Sequence, residues 1–237
     1  MSLIIAHRGY SAKFRENSVS SWREAVLAGA DIIEVDVRFT ADWQCVCAHD
    51  ADLRLAGSQS LIRNCRYAEL QAQAQSLVPL LSQAFKTIPP EVPILLDVKD
   101  ESPQALAHLS SLVSSFGERP VDFGLHTLRA VHTLMREETH VQIVGLLSGS
   151  EDEEDEFFEM GGKTLRLWES KVGTSRLEKL LTAGRAIWVT TGGWGTGRDV
   201  GEFDAQQLVA MRDAGVTGFL VNDPVLARSA LEDGTSH

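Results

Sequence analysis

The sequence predicts an α/β fold of one domain, a (β/α)8 TIM barrel with a small excursion after the second strand. Three observations predict it. Short apolar, β-branched runs alternate with helical patterns along nearly the whole chain, the mark of a parallel sheet covered by helices. About eight such units fit into 237 residues, close to the ~250 residues usual for such barrels. No G-x-G-x-x-G follows the first strand, which argues against a doubly wound dinucleotide fold. No linker, repeat or low-complexity tract divides 1–237, apart from an acidic run at Glu151 to Glu156.

The elements follow in order. Leu3 to Ala6 reads as a buried first strand that runs straight into His7-Arg8-Gly9. Ser18 is a candidate N-cap for a helix over Val19 to Ala28, closed by Gly29. Asp31 to Arg38 is the second strand. A strand-like piece, Gln44 to Ala48, follows a turn and ends at His49-Asp50. The pattern loosens over 51–76, the excursion, with a short helix expected at Tyr67 to Gln75. Pro79 opens a helix over Leu80 to Thr87, and Pro89-Pro90 end it. The strand Val92 to Val98 delivers Asp97 and Lys99.

Helix Pro103 to Phe116, strand Val121 to Leu125, helix Leu128 to Glu137 and strand Gln142 to Leu147 continue the alternation. The acidic run then reads as a solvated loop, with a contact for a basic partner as the alternative. Leu165 to Trp168 is a strand, Thr174 to Ala183 a helix closed by Gly184, and Ala186 to Thr191 a strand. The glycine-rich GGWGTG that follows is either a phosphate-holding loop or a flexible rim. Phe203 to Ala214 is a helix closed by Gly215, and Gly218 to Val221 is the last strand, ending at Asn222-Asp223-Pro224.

Composition narrows the function. Hydrophobic residues make up 43% and charged residues 23%, ordinary for a folded globular chain. The net charge of −11, of which the acidic run supplies about half, argues against nucleic acid or an anionic membrane surface as a partner. Three cysteines, Cys45, Cys47 and Cys65, give no complete disulfide framework. Buried core is their expected role, with a C-x-C metal site as the sharper alternative. No stretch reaches the ~18 apolar residues of a membrane span. The start, MSLIIAHRG, lacks a basic n-region and an apolar h-region, so no secretory leader is expected and the default compartment is cytoplasmic.

The chemistry is concentrated where strands end. Glu34 and Asp36 lie two apart in an apolar run, so both carboxylates share one face of a strand. Two adjacent buried like charges are very costly unless something cancels them. A divalent cation does so; pairing with arginine or lysine in the barrel core is the alternative. His7-Arg8, His49-Asp50, Asp97-x-Lys99 and His126 also fall at predicted strand ends, which a barrel gathers on one rim. Three carboxylates suit a hard cation. Arg8 offers a fork for phosphate oxygens and Lys99 a compact positive charge. His7 and His49 have the range for proton transfer near neutral pH. Together these point to cleavage of a phosphodiester.

The same residues carry a resemblance. His7-Arg8-Gly9, Glu16-Asn17-Ser18, Gly29-Ala30-Asp31 with Glu34-Val35-Asp36, and His49-Asp50-x-x-Leu53 resemble the motifs of the glycerophosphodiester phosphodiesterases, a family of (β/α)8 barrels. Weaker matches run through Leu96-Asp97-Val98-Lys99 and Ile187-Trp188-Val189-Thr190 to Asp223-Pro224, over nearly the full length. The resemblance implies metal-dependent hydrolysis of glycerophosphodiesters to an alcohol and glycerol 3-phosphate. It implies His7 and His49 as the acid/base pair, and Glu34, Asp36 and Asp97 as ligands of Mg2+ or Ca2+. Arg8 and Lys99 would bind the substrate, a small glycerophosphodiester. The chain departs from the pattern at Asp97, where glutamate is usual, at His126-Thr127 and at Arg54-Leu55-Ala56. Two other readings stand beside this one: an enolising barrel with a histidine base, and a barrel of the same family that binds phosphodiester or metal without turnover.

Overall fold

The computed structural model of the chain describes residues 2–74, 77–136 and 141–233. In order the elements are β1 (Leu3–Ala6), α1 (Val19–Leu27), β2 (Ile32–Phe39), β3 (Cys45–Cys47), α2 (Tyr67–Ala74), α3 (Leu81–Thr87), β4 (Ile94–Val98), α4 (Pro103–Ser115), β5 (Val121–Leu125) and α5 (Leu128–Arg136). They continue as β6 (Gln142–Gly145), α6 (Glu151–Glu159), β7 (Thr164–Trp168), α7 (Ser175–Thr182), β8 (Ala186–Thr190), α8 (Ala205–Asp213), β9 (Gly218–Val221) and α9 (Pro224–Asp233). The expected helix ends Gln75 and Glu137 lie outside the described residues.

Eight of the strands are parallel, and β1 pairs with both β2 and β9, so the sheet closes on itself. Closure leaves the period-2 alternation to sort side chains into two environments. On β2, Ile33, Val35 and Val37 face outward into the large cluster formed with the helices, where Trp22 and Ala25 of α1 and Leu81 of α3 also pack. Ile32, Glu34 and Asp36 take the other face. Ile32 joins Ile5, Leu95, Val144, Leu146, Trp188 and Leu220 in a separate apolar plug that fills the barrel. Trp188 belongs to this plug. Gly218 makes room for it, since a Cβ there would lie 2.7 Å from the indole.

β3 is not a barrel strand. It runs antiparallel to the far end of β2, with Cys47 opposite Val37 and Cys45 opposite Phe39. β2 thus outruns the barrel mouth and β3 returns toward it. His49 therefore reaches the rim on a returning hairpin, not at the end of a parallel strand as the alternation suggested.

Two segments correct the sequence expectation. The acidic run is helical, α6, not a solvated loop. Ser150 caps it, accepting a hydrogen bond from the Glu153 amide at 3.3 Å. The four acids of its first turn sit where the helix dipole favours negative charge. Glu154 is buried, and its carboxylate and that of Asp155 receive Arg176 of α7 at 2.7 and 2.8 Å. The second segment is α9, which begins at Pro224, where the sequence reading stopped; a proline at the first helical position costs no hydrogen bond. The three cysteines are buried and free, as expected.

Asp122 on β5 yields a stability prediction. Burial pushes its carboxyl up to about 6. The folded state therefore holds a proton that the unfolded chain gives up near pH 4, and stability falls as pH rises from about 4 to about 6. Asp122→Asn is expected to raise the melting temperature at pH 7.5 and to leave it nearly unchanged at pH 4, read by thermal unfolding at both. Equal shifts at the two pH values would assign no such strain to Asp122.

Candidate active site

β1 ends in a sharp, strained turn. Arg8 has φ of 58°, a left-handed backbone that non-glycine residues seldom adopt. Gly9 follows at φ of 80°, packed so closely on α1 that a Cβ would lie 2.6 Å from Ser21 Oγ. Ser18 and Ser21 form the capping box of α1, each side chain bonded to the other's backbone amide at 3.1 Å. The turn aims the Arg8 amide at Glu34, whose Oε2 accepts from it at 2.6 Å.

Glu34 and Asp36 from β2 meet Asp97 from the neighbouring β4, in register with Asp36. One oxygen from each lies within 4.8 Å of the others. Glu34 and Asp36 are buried and Asp97 nearly so. Positive groups hold them together. Lys99 Nζ lies 2.8 Å from Asp36 Oδ1 and 2.7 Å from Asp97 Oδ2. Arg8 Nε lies 3.2 Å from Asp36 Oδ2, and Arg8 Nη1 donates to Glu16 at 2.7 Å. Arg8 and Lys99, expected to face a phosphate, are thus held on acids in this structure.

The electrostatics divide the acids. Burial, reinforced by the charges of Asp36 and Asp97, drives the Glu34 carboxyl well above the usual range. Burial also works against ionisation of Asp36, but Lys99 and Arg8 outweigh it and hold that carboxyl low. Asp97 is held lower than an ordinary aspartate: burial opposes this, and the His126 hydrogen bond and Lys99 prevail. The donor set fits a hard divalent cation: three carboxylates on two rigid strands, short of positive charge at Glu34. The Lys99 contact also lacks hydrogen-bond alignment at Asp36 Oδ1, leaving that buried oxygen with no donor aimed at it.

The histidines differ in setting. His7 is buried, and its Nδ1 donates to Asn222 Oδ1 at 2.8 Å. The asparagine's orientation is fixed because its Nδ2 donates to Val200 O at 2.7 Å. Burial and the adjacent Arg8 charge lower His7 to about 4, so at neutral pH the ring is uncharged and Nε2 carries the lone pair. His49 is more open, with Asp50 Oδ1 accepting from its Nδ1 at 3.1 Å.

Several site residues were not assigned from the sequence. Asn17, in the left-handed region at φ of 48°, donates to Asp36 Oδ2 at 2.7 Å and accepts from the Asp36 amide at 3.1 Å. Arg38, one alternation beyond Asp36, grips the His49 carbonyl with Nε and Nη2 at 3.1 and 2.6 Å. His126, which the sequence places at a strand end on the rim without a role in the chemistry, enters the pocket: its Nε2 meets Asp97 Oδ1 at 2.7 Å, and Glu101 receives its backbone amide. Arg166 of β7 is buried, lies over the Trp168 ring at 4.3 Å and donates to Leu146 O at 3.1 Å. Burial lowers it to about 10, while the charges of Asp97 and Glu34 draw it up. Arg166 alternates with Leu165 and Leu167, which face the outer cluster, and that alternation is the signal for an inward residue; what it meets there is not readable in the sequence.

The family model described as the glycerophosphoryl diester phosphodiesterase family matches residues 7–226, from the first catalytic candidate into α9. The chain belongs to this family. A lysophospholipase D of Rattus norvegicus is 30% identical over 133 residues, covering 49% of this chain and 42% of the relative. A glycerophosphodiester phosphodiesterase of Bacillus altitudinis is 27% identical over 110 residues, covering 42% and 45%. The chain therefore matches less than half the length of these relatives. Among solved structures, a glycerophosphodiester phosphodiesterase of Thermotoga maritima superposes with a TM-score of 0.79 at 22% identity, over 97% of this chain and 98% of the other. An Oleispira antarctica phosphodiesterase in complex with the product sn-glycerol-3-phosphate gives 0.82 at 19% identity, over 97% and 96%. At that identity the likeness concerns the barrel; the family's activity is that of phosphoric diester hydrolases. Among the described residues no helix is long and apolar enough to cross a membrane.

Asn17 offers a test of how the acids are held. Asn17→Gly keeps the left-handed backbone and removes both bonds to Asp36. It is expected to weaken divalent-cation binding about 10- to 100-fold, read by titration calorimetry with Mg2+ or Ca2+. Unchanged affinity would show that Asp36 needs no such orientation.

Proposed function

We propose that this chain hydrolyses glycerophosphodiesters to an alcohol and glycerol 3-phosphate, with a divalent cation held by Glu34, Asp36 and Asp97. The observation that carries the reading is the meeting of these three acids within 4.8 Å beside Arg8, Lys99 and a buried, uncharged His7. The bound cation, Mg2+ or Ca2+, supplies stabilisation of negative charge on the phosphoryl oxygens. Arg8 and Lys99 exchange part of their contact with Asp36 and Asp97 for the phosphate and orient it.

His7 Nε2 accepts a proton from the attacking water as the water oxygen bonds to phosphorus. Asn222 fixes the tautomer that makes this nitrogen the acceptor. His49, steadied through Nδ1 by Asp50 and through its carbonyl by Arg38, gives a proton to the departing alkoxide as the P–O bond breaks. The two roles suit the two settings: a buried ring stays neutral and accepts, and a solvent-facing ring recovers its proton from water.

A barrel of this family that binds phosphodiester or metal without turnover is the second reading. It draws on Lys99, whose ammonium already bridges two of the three acids and so competes with a metal.

One assay separates the readings: a panel of glycerophosphodiesters, with and without Mg2+ or Ca2+, scored for released glycerol phosphate. Turnover is expected with the cation and is abolished by excess EDTA. His7→Ala and His49→Ala are each expected to lower kcat by about 10²-fold or more. Binding of the diesters with no release of glycerol phosphate would favour the second reading, and full activity in EDTA would remove the cation from the mechanism.

A further inference from the structure

The closed sheet sets β7 opposite β2, the same number of strands away in either direction. Arg166 of β7 therefore faces Glu34 and Asp36 across the barrel. It stands in register with Trp188, and its Nη2 donates to Leu146 O at 3.1 Å. Trp188 and Leu146 both belong to the apolar plug. The guanidinium thus lies where the dry plug gives way to the polar mouth. One alternation further along β7, the Trp168 ring covers it at 4.3 Å, a stack that fixes the plane of the fork.

The charge there is buried and unanswered. Arg166 is only 4% exposed, and its buried Nη1 has no hydrogen-bond partner. Nη2 is spent on a carbonyl, which carries no full charge. Among the described residues, no carboxylate lies within ion-pair distance of Arg166. Asp97 and Glu34 act on it from further off, but they are committed elsewhere. Asp97 holds Lys99 and His126, and Glu34 accepts the Arg8 amide. Glu169, the next acid along the chain, is taken by the Gly192 amide and Arg198. Arg8 and Lys99, by contrast, each already sit on carboxylates. A buried cation with an idle donor is costly unless an anion completes it. The oxygens of a phosphate match a guanidinium's fork.

We propose that Arg166 is a further substrate-binding residue, its Nη1 taking an anionic oxygen of the substrate phosphate from the wall opposite Glu34, Asp36 and Asp97. The proposal rests on the reading of this mouth as a phosphodiester site and adds a residue to it. Arg8 and Lys99 reach a phosphate only by loosening contacts with acids. Arg166 has none to loosen, and Trp168 and Leu146 hold it in place before the substrate arrives, so little ordering remains at binding.

The test compares the wild-type protein with Arg166→Gln. In the presence of Mg2+, Arg166→Gln is expected to bind sn-glycerol 3-phosphate about 10- to 100-fold more weakly, read by titration calorimetry. Its kcat/KM on glycerophosphoethanolamine falls by a similar factor. Its affinity for Mg2+ or Ca2+, titrated without phosphate, is expected to equal or exceed that of the wild type, because a positive charge facing the acids is gone. Weakened binding of anion and cation together would assign Arg166 to holding up the mouth and overturn the proposal. So would wild-type affinity of Arg166→Gln for glycerol 3-phosphate, or no binding of it by the wild type. The unmutated protein gives a second readout: crystals grown with Mg2+ and glycerol 3-phosphate are expected to show a phosphoryl oxygen about 3 Å from Nη1. Glycerol 3-phosphate bound with Nη1 turned away from it would overturn the assignment. Binding that depends on Arg166, with no release of glycerol phosphate from any diester, would remove the hydrolytic reading and leave Arg166 as a phosphate ligand.

Discussion

Three carboxylates crowded into a barrel mouth set the terms for everything near them. Burial alone would protonate them, and their mutual repulsion adds to that pressure. Lys99 and Arg8 keep Asp36 ionised, and Lys99 with His126 does so for Asp97, while Glu34 is left the least compensated. The site is thus a partly balanced cluster whose remaining deficit is positive charge. Arg166, buried on β7 and within the field of Glu34 and Asp97, adds a more distant cation. Such an arrangement offers a place for a divalent cation by redistributing contacts that already exist, without assembling a site from scratch.

The barrel makes this possible by separating two tasks. The outward faces of the strands pack against helices in a continuous apolar layer, and the inward faces lower in the barrel form a dry plug around Trp188. With stability vested there, the inward positions nearer the mouth are free to carry polar groups. β2 shows the gradient within one strand: Ile32 in the plug, Glu34 and Asp36 among the acids, Arg38 on the His49 carbonyl. The β2–β3 hairpin adds the one catalytic candidate that a plain barrel strand does not supply, returning His49 to the mouth and securing it through Arg38.

The parallel barrel and the gathering of the candidate site residues at its mouth were legible in the sequence because they follow from local pattern. Ile-Ile-Glu-Val-Asp-Val can place its two acids on one face only, and His7, Asp97 and Lys99 stand at the ends of apolar runs whose direction the alternation with helices fixes. The acidic run misled because its charge hid the helix: Phe157 and Phe158, with Glu154 paired to Arg176, supply a buried face that charge density alone does not reveal. α9 escaped for a related reason, its start at Pro224 reading as a stop. Asn17, Arg38, His126 and Arg166 were visible as residues and opaque as parts, because each acts on a partner far away in the chain.

The sequence by itself determined the class of fold, the family and the chemical types gathered at the mouth, since periodicity and motif spacing are properties of neighbouring residues. Only the tertiary structure decided which charge answers which. That Lys99 bridges Asp36 and Asp97, that Asn222 sets the tautomer of His7, and that Arg38 holds the His49 carbonyl are outcomes of barrel closure. Closure brings strands from opposite ends of the chain within a few ångströms, where Coulomb and hydrogen-bond energies depend on distance and burial and no longer on sequence separation.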